Sequence, residues 1–275
     1  MTPPAEASQL IRAQQPRLAQ HIAERLCDHP TCTLEPDPQR CTAVVRDVNF
    51  HLTHLAHAYL DALLQRRRHA ANQLIQEAVQ QGTPVQEIYL QVFEPVQHEI
   101  GRLWQLNQIS VAEEHYCTAA TQLVMSQLYP HIFTTRKNGW RFTAASIGGE
   151  LHELGIRMVA DFFEMAGWDT VYLGANTPAQ AIVETLQAAR SHILGISATM
   201  MFHITAVAEL IRQVRLTPAG RQIRIMVGGY PFNVTPDLWQ SVGADGFASN
   251  AVEAVHVATQ LLRNGHPHAR QETAA

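Results

Sequence analysis

The sequence lacks a long apolar run, a basic excess and a secretory leader. No stretch approaches the roughly 18 consecutive apolar residues that a membrane-spanning helix needs. The 275 residues carry 20 basic against 24 acidic side chains, which disfavours binding to a phosphate backbone. The first residues, MTPPAEASQ, contain neither the charged nor the apolar segment of a signal peptide. We therefore expect a soluble, cytoplasmic protein that binds neither nucleic acid nor a membrane.

Cysteine is also scarce. The four cysteines are Cys27, Cys32, Cys41 and Cys117, and no two of them form a C-x-x-C pair. Three lie in one stretch, but their spacing fits no zinc module, so buried thiols in a reducing compartment are the better interpretation. Histidine, by contrast, is abundant, with 15 residues, and the functional question is which of them matter.

Helical spacing of apolar residues dominates residues 1–136, where strand patterns are almost absent. Helices are predicted at 9–26, about 38–65, 69–81, 84–103 and 110 to about 133. Ser110 and Glu113 have the spacing of a capping box at the start of the last of these. The first half is therefore predicted to be a helical bundle.

After a polar linker at 134–140 the hydrophobic period changes. Five short apolar runs alternate with five helical stretches, the pattern of a doubly wound α/β domain with a parallel sheet. The apolar runs are 142–147, 170–173, 192–197, 223–227 and 246–248, and the helical stretches are 154–166, 178–189, 204–214, 236–242 and 251–263. We predict a flavodoxin-like (Rossmann-type) strand order 2-1-3-4-5, in which ligands bind beyond the carboxyl ends of strands 1 and 3.

The loops at these strand ends carry the candidate site. The loop after strand 1 reads GGELHELG, which lacks the glycine spacing of a phosphate-binding loop and places His152 two residues after Glu150. A carboxylate bonded to an imidazole fixes its tautomer for metal binding. On this loop alone, a histidine that caps a helix is the favoured interpretation. Ser197 and Thr199 follow strand 3 as small hydroxyl residues, and a Gly-Gly pair follows strand 4, where something must pass close to the backbone.

Together, E-x-H-x-x-G, S-x-T and G-G at three successive strand ends resemble the cobalamin-binding domain over about residues 141–265. The resemblance implies that cobalamin binds base-off, with His152 as the lower axial ligand of cobalt and Glu150 behind it. Glu150 stands where many members have aspartate, a change that lengthens the hydrogen-bonding side chain without abolishing ligation. The resemblance also assigns cofactor contacts to Gly155, Ser197, Thr199, Gly228 and Gly229.

The bundle carries a second motif, in which nine residues separate Trp104 from Glu114-His115. The helix pattern places Trp104 at the end of one helix and His115 in the first turn of the next, so both project from the same end of the bundle. An imidazole near a helix N-terminus is disfavoured as a cation and stays available to a metal. The structural alternatives are packing for the tryptophan and solvation for the Glu-His pair.

Trp-x9-Glu-His resembles the signature of cobalamin photoreceptors of the CarH type, and Val111 also matches their pattern. The resemblance implies a bundle that caps the corrin and accommodates the 5′-deoxyadenosyl group of adenosylcobalamin with Trp104 and Glu114. Light breaks the cobalt–carbon bond in that family, and His115 would then take the upper position. A light-dependent homo-oligomer without catalysis is implied as well. Methyl-carrying corrinoid proteins share the architecture but do not characteristically have this Trp and Glu-His pair.

The resemblance stops at the DNA-binding domain of that family. Residues 1–65 show no helix-turn-helix signature, and Arg66-Arg67-Arg68 is more typical of a solvated helix end. We therefore expect the output to pass through self-association or a protein effector in trans. The predicted domains are an N-terminal helical extension at 1–65, a capping bundle at 66–136 and the cobalamin-binding domain at 141–265.

His51, His54 and His57 recur every three residues in the predicted extension. A polar, partly buried helix face and a metal site are two interpretations of this pattern. A third comes from the photocobilins, which join this photoreceptor core to an N-terminal helical extension and bind biliverdin; the chain resembles that arrangement, without a bilin motif as specific as Trp-x9-Glu-His. Two other functions stay open, a corrinoid methyl carrier of a methyltransferase system and a light-independent cobalamin-binding anti-repressor.

Overall fold

A computed structural model describes residues 42–235 and 237–265. These residues form two compact units, and the boundary in the chain falls between Leu128 and Tyr129. The helix predicted at 9–26 and three of the four cysteines lie outside the described residues. None of the helices in the described ranges combines the length and apolar content that crossing a bilayer requires.

The first unit is a helical bundle, as predicted. Its helices are α1 Thr42–Leu64, α2 Arg68–Gln80, α3 Val85–Ile88, α4 Glu94–Gln105 and α5 Val111–Gln127. A π-helical segment, Tyr89–Phe93, joins α3 directly to α4. The predicted capping box is present, because the backbone N–H of Glu113 donates to the Ser110 hydroxyl and the backbone N–H of Ser110 donates to the Glu113 carboxylate.

Helix α1 packs in the core of this bundle. Its aromatic anchor is Tyr59, whose ring centroid lies 5.5 Å from that of Phe93. The Tyr59 hydroxyl reaches Thr121 on α5, with 3.0 Å between the two oxygens. The other core side chains of α1 are also buried: Leu52, Leu55, Ala56, Leu60, Ala62 and Leu63. The described part of the predicted N-terminal extension is therefore a helix of the bundle.

The second unit is a five-stranded parallel sheet in the order β2-β1-β3-β4-β5, which confirms the predicted topology. The strands are β1 Arg141–Ser146, β2 Asp169–Tyr172, β3 Ile193–Ser197, β4 Arg224–Gly228 and β5 Gly246–Phe247. In register, Ser146 pairs with Ser197, and Ser197 pairs with Gly228. The carboxyl ends of the three central strands are therefore level, and the loops that follow them begin at one edge.

Helices cover both faces of this sheet, and each covered face has its own buried apolar cluster. The helices are α6 Tyr129–Ile132, α7 Leu154–Met165, α8 Ala179–Ala188, α9 Ile204–Leu216, α10 Tyr230–Val234, α11 Leu238–Ser241 and α12 Ala251–Gly265. Helix α10 was not predicted, and the helix predicted at 236–242 is shortened to α11. Asp237 adopts a left-handed φ of 60° just before α11, and this residue delays the start of that helix.

Candidate functional site

The loop after β1 holds a buried carboxylate at the carboxyl edge of the sheet. The Glu150 side chain is 1% exposed, and its Oε1 accepts the backbone N–H of His152 at 3.0 Å. The Nδ1 atom of His152 lies 2.5 Å from the same oxygen. The Oε2 atom accepts the backbone N–H of Thr199 at 2.7 Å and lies 3.0 Å from Nδ1 of His203. Glu150 therefore ties the loop after β1 to the loop after β3.

The His152 ring is held in one orientation by this carboxylate. Because Nδ1 faces an anion, the ring hydrogen belongs on Nδ1 and the lone pair belongs on Nε2. The side chain is nevertheless 54% exposed. An exposed imidazole with a fixed tautomer is ready to donate its Nε2 lone pair to a metal.

The charge of Glu150 follows from its contacts. Burial alone would raise its pKa, but the backbone N–H groups of His152 and Thr199 and the rings of His152 and His203 stabilise the anion and lower the pKa to about 2. The carboxylate is therefore ionised across the physiological range and accepts all four hydrogen bonds.

This shift predicts a pH dependence of stability. The pKa of Glu150 falls from 4.5 to about 2 on folding. The ionised carboxylate should therefore contribute about 3 kcal/mol above about pH 4.5, a contribution that is lost as the pH falls toward about 2. In urea titrations between pH 6 and pH 3, the unfolding free energy of the wild type should fall more steeply than that of Glu150→Gln, whose side chain does not titrate.

The matched control is Glu253→Gln, at a partly exposed carboxylate that accepts the backbone N–H of Ser249 at 2.7 Å. The unfolding free energy of this variant should fall with decreasing pH as steeply as that of the wild type. Parallel profiles for the wild type and Glu150→Gln would show that the buried carboxylate has no such linkage.

His203 belongs to this cluster and was not predicted. It lies in the 3-10 turn Met201–His203 in front of α9 and is buried. Its partner Glu150 is 53 residues earlier in the chain, so no local spacing marks the pair. The available signal was its position at the start of the helix that follows the S-x-T segment.

The other predicted residues of this edge lie at the ends of β3 and β4. Ser197 ends β3, and Thr199 contributes its backbone N–H to Glu150. Gly229 has a φ of 104°, and a Cβ there would lie 2.1 Å from the carbonyl oxygen of Ala198. The backbone of the neighbouring loop therefore passes close to Gly229, and the predicted cofactor contacts of Gly228 and Gly229 stay predictions.

Apolar side chains are unusually exposed on the same loops. The exposed apolar residues there are Leu151, Met200, Met201, Phe202 and Tyr230. Gly155, in the first turn of α7, has no atom within 4 Å of where a Cβ would lie, so its own packing leaves room for a ligand. These side chains offer apolar contact to a ligand that binds at this edge of the sheet.

The first unit repeats the carboxylate–imidazole arrangement. Nδ1 of His115 lies 2.5 Å from Oε2 of Glu114, and the His115 side chain is 72% exposed. Glu113 is occupied separately by the capping box and by Arg66, whose guanidinium lies 3.1 Å away. Trp104, near the end of α4, and Val111, the first residue of α5, are both exposed.

The histidine series of α1 does not form a comparable site. His51 and His54 are exposed, whereas His57 is half-buried, and burial followed by the charge of His54 lowers the pKa of His57. Within residues 42–235 and 237–265, no group of three or more histidine, cysteine, aspartate or glutamate side chains is arranged so that together they could hold a metal ion. The polar helix face is therefore the interpretation that the described contacts favour, and a bilin site stays a prediction.

Two family models match the chain. Residues 140–256 match a B12 binding domain, and residues 55–129 match a second model with the same description. Dimethylamine corrinoid protein 2 of Methanosarcina mazei is 29% identical over 185 residues, which covers 62% of this chain and 85% of that protein. Trimethylamine corrinoid protein 1 of Methanosarcina acetivorans is 25% identical over 208 residues, which covers 74% of this chain and 94% of that protein.

A solved structure shares the fold. The monomethylamine corrinoid protein of Methanosarcina barkeri superposes with a TM-score of 0.67 at 23% sequence identity, covering 76% of this chain and 98% of that one. The sheet edge also suits a corrinoid in its chemistry, since it offers a tautomer-fixed imidazole to a transition metal and apolar surface to a macrocycle. The chain is a cobalamin-binding protein, composed of a helical B12-binding bundle and a five-stranded B12-binding domain.

Proposed function

We propose that this chain is a light-responsive sensor that binds adenosylcobalamin, with His152 as the lower axial ligand and His115 as the upper ligand after illumination. The observation that supports this function best is the second carboxylate–imidazole pair. Glu114–His115 has the same 2.5 Å contact to Nδ1 as Glu150–His152, and both rings are exposed. A protein that supplies a single cobalt ligand needs only one such pair.

The surroundings of His115 suit an exchangeable ligand. Glu114 orients the ring, and its other oxygen, Oε1, accepts the hydroxyl of Thr118 at 3.0 Å, which holds the carboxylate in place. Trp104 and Val111 supply exposed apolar surface for an adenosyl group. If the cobalt of a bound corrinoid came within reach and lost its adenosyl group, His115 would have the Nε2 lone pair available to bind it.

Adenosylcobalamin supplies a cobalt–carbon bond that light can break, and the protein supplies the pocket and both imidazoles. Because His115 is the fifth residue of α5, a change in its contacts would displace the start of that helix and bias the bundle between two arrangements. We propose that this bias alters homo-oligomeric assembly or the binding of an effector protein in trans. None of these steps needs catalysis by the chain, and none needs biliverdin.

The function predicts a dependence on His115. Wild-type protein loaded with adenosylcobalamin in darkness should change its absorption spectrum under green light and retain the corrinoid as a bis-histidine species through gel filtration. His115→Ala should react to light without forming that species. His69→Ala, at an exposed histidine of α2, is the control and should behave as the wild type does. A photoproduct spectrum unchanged by His115→Ala would refute the ligand role.

A corrinoid methyl carrier of a methyltransferase system is the second candidate, and the relatives favour it. The two curated relatives and the solved structure are named methylamine corrinoid proteins. In that function His152 alone would ligate cobalt, and His115→Ala would leave methyl transfer unchanged. Methyl exchange with a purified methyltransferase, together with identical gel-filtration profiles in darkness and light, would establish the carrier and exclude the sensor.

A further inference from the structure

Glu114 is the outer, partly exposed end of a chain of polar side chains that runs into the bundle. Its Oε1 lies 3.0 Å from the Thr118 hydroxyl, and that hydroxyl lies 3.2 Å from Oε1 of Gln97. Nε2 of Gln97 lies 2.8 Å from the hydroxyl of Thr121. The last link joins Thr121 to Tyr59 at 3.0 Å. The chain therefore runs from α5 to α4, returns to α5 at Thr121 and ends on α1.

The inner end of this chain is fully enclosed. Thr121 and Tyr59 are both 0% exposed, and burial raises the pKa of the Tyr59 hydroxyl, which therefore stays protonated. A buried hydroxyl without a partner is costly, so each link needs one hydrogen. The number of donor hydrogens in the chain therefore determines which group donates in each hydrogen bond.

Glu114 is a carboxylate and has no hydrogen to donate. Thr118 must then donate its single hydrogen to Glu114, so the link between Thr118 and Gln97 needs a hydrogen from the amide. In the structure Nε2 of Gln97 lies toward Thr121 and Oε1 lies toward Thr118, an orientation in which Thr118 would have to serve two acceptors with one hydrogen. The two ends of an amide have nearly the same shape, and the hydrogen count requires the reverse orientation, with the nitrogen facing Thr118 and the oxygen accepting from Thr121. Tyr59 then donates to Thr121.

We propose that Gln97, with its amide nitrogen toward Thr118, is a positioning residue that directs every hydrogen of the chain toward Glu114 and so fixes the tautomer of His115. The same chain makes the position of Glu114 dependent on α4 and α1. The direction of each hydrogen bond in the chain is inferred from contacts within the helical bundle alone. The consequence for cobalt ligation rests on the proposed function.

The first test uses the cobalamin-free protein. In NMR spectra, the side-chain NH2 of Gln97 should show cross-peaks to the methyl group of Thr118, and cross-peaks to the methyl group of Thr121 instead would overturn the proposal. Nitrogen-15 spectra of His115 should show the Nδ1–H tautomer, and the ratio of this tautomer to the Nε2–H form should fall by about tenfold in Thr118→Val. Thr118→Ser should restore the wild-type ratio.

A control variant on the same helix is Ser126→Ala, since the Ser126 hydroxyl donates to the carbonyl of Gln122 and lies outside the chain. It should leave the His115 spectra unchanged. Should Thr118→Val fail to fold, the cross-peaks of the wild-type amide still decide the proposal. An unchanged tautomer ratio in folded Thr118→Val would overturn it.

The second test uses protein loaded with adenosylcobalamin. After illumination, the bis-histidine fraction should fall by about tenfold in Thr118→Val and recover in Thr118→Ser. If NMR shows the expected Gln97 orientation and His115 tautomer but the illuminated wild type forms no bis-histidine species, the proposed function is wrong and the positioning role is kept. If the wild type forms that species and the amide faces the other way, the positioning role fails alone.

Discussion

His152→Ala should weaken corrinoid binding by about a hundredfold or more while the cobalamin-free protein stays folded. Loss of a residue that supports a metal ligand already costs about 10-fold to 100-fold in affinity, and this variant removes the proposed ligand itself. The fold should survive because the ring is 54% exposed and because Glu150 keeps the backbone N–H groups of His152 and Thr199. Titration with adenosylcobalamin, followed by absorbance, measures the dissociation constant.

The control for this prediction is His256→Ala, at an exposed histidine of α12 that contacts Gln260 at 2.7 Å. It should bind cobalamin with wild-type affinity. Thermal unfolding of the three cobalamin-free proteins should give similar midpoints. Affinity of His152→Ala within threefold of the wild type would remove His152 from the coordination of cobalt.

Gly229→Ala should destabilise the protein by about 3 kcal/mol or more. A Cβ at this position would lie 2.1 Å from the carbonyl oxygen of Ala198 and 2.9 Å from its carbonyl carbon, and both are backbone atoms. The φ of 104° adds strain for any side chain. Because Gly229 and Ala198 follow β4 and β3, relief of the clash has to separate two paired strands. Urea unfolding of the cobalamin-free protein measures the loss.

Gly155→Ala provides the matched comparison. Nothing lies within 4 Å of a Cβ at Gly155, and the residue is helical, so the stability of this variant should equal the wild type or exceed it by up to about 1 kcal/mol. Equal losses of stability in the two alanine variants would mean that the contact with Ala198 is unimportant.

The sheet could be predicted because its signals are local. Short apolar runs separated by helical stretches define a doubly wound fold, and each observed strand starts or ends within one residue of the predicted bounds. Glu150 and His152 could be found for a similar reason, since they are two residues apart in one loop. His203 could not, because its partner Glu150 is brought to it only by the pairing of β1 with β3.

In the helical bundle, too, features within one segment could be predicted and contacts between distant segments could not. The capping box of α5 was predicted because its two residues are three apart. The π-helical segment and the place of α1 in the core depend on packing between distant elements, such as the contact between Tyr59 and Phe93. The polar chain from Glu114 to Tyr59 likewise joins three helices, and no single helix carries its pattern.

The π-helical segment also sets the rotational phase of everything that follows it in its helix. One extra residue per π turn rotates the succeeding helix by about 100° and advances it by about 1.5 Å. Gln97 and Trp104 both lie downstream of Tyr89–Phe93, so the direction in which each side chain leaves α4 is decided before α4 begins. A single-residue deletion in this segment would turn the amide away from Thr118 and the indole away from its present face together.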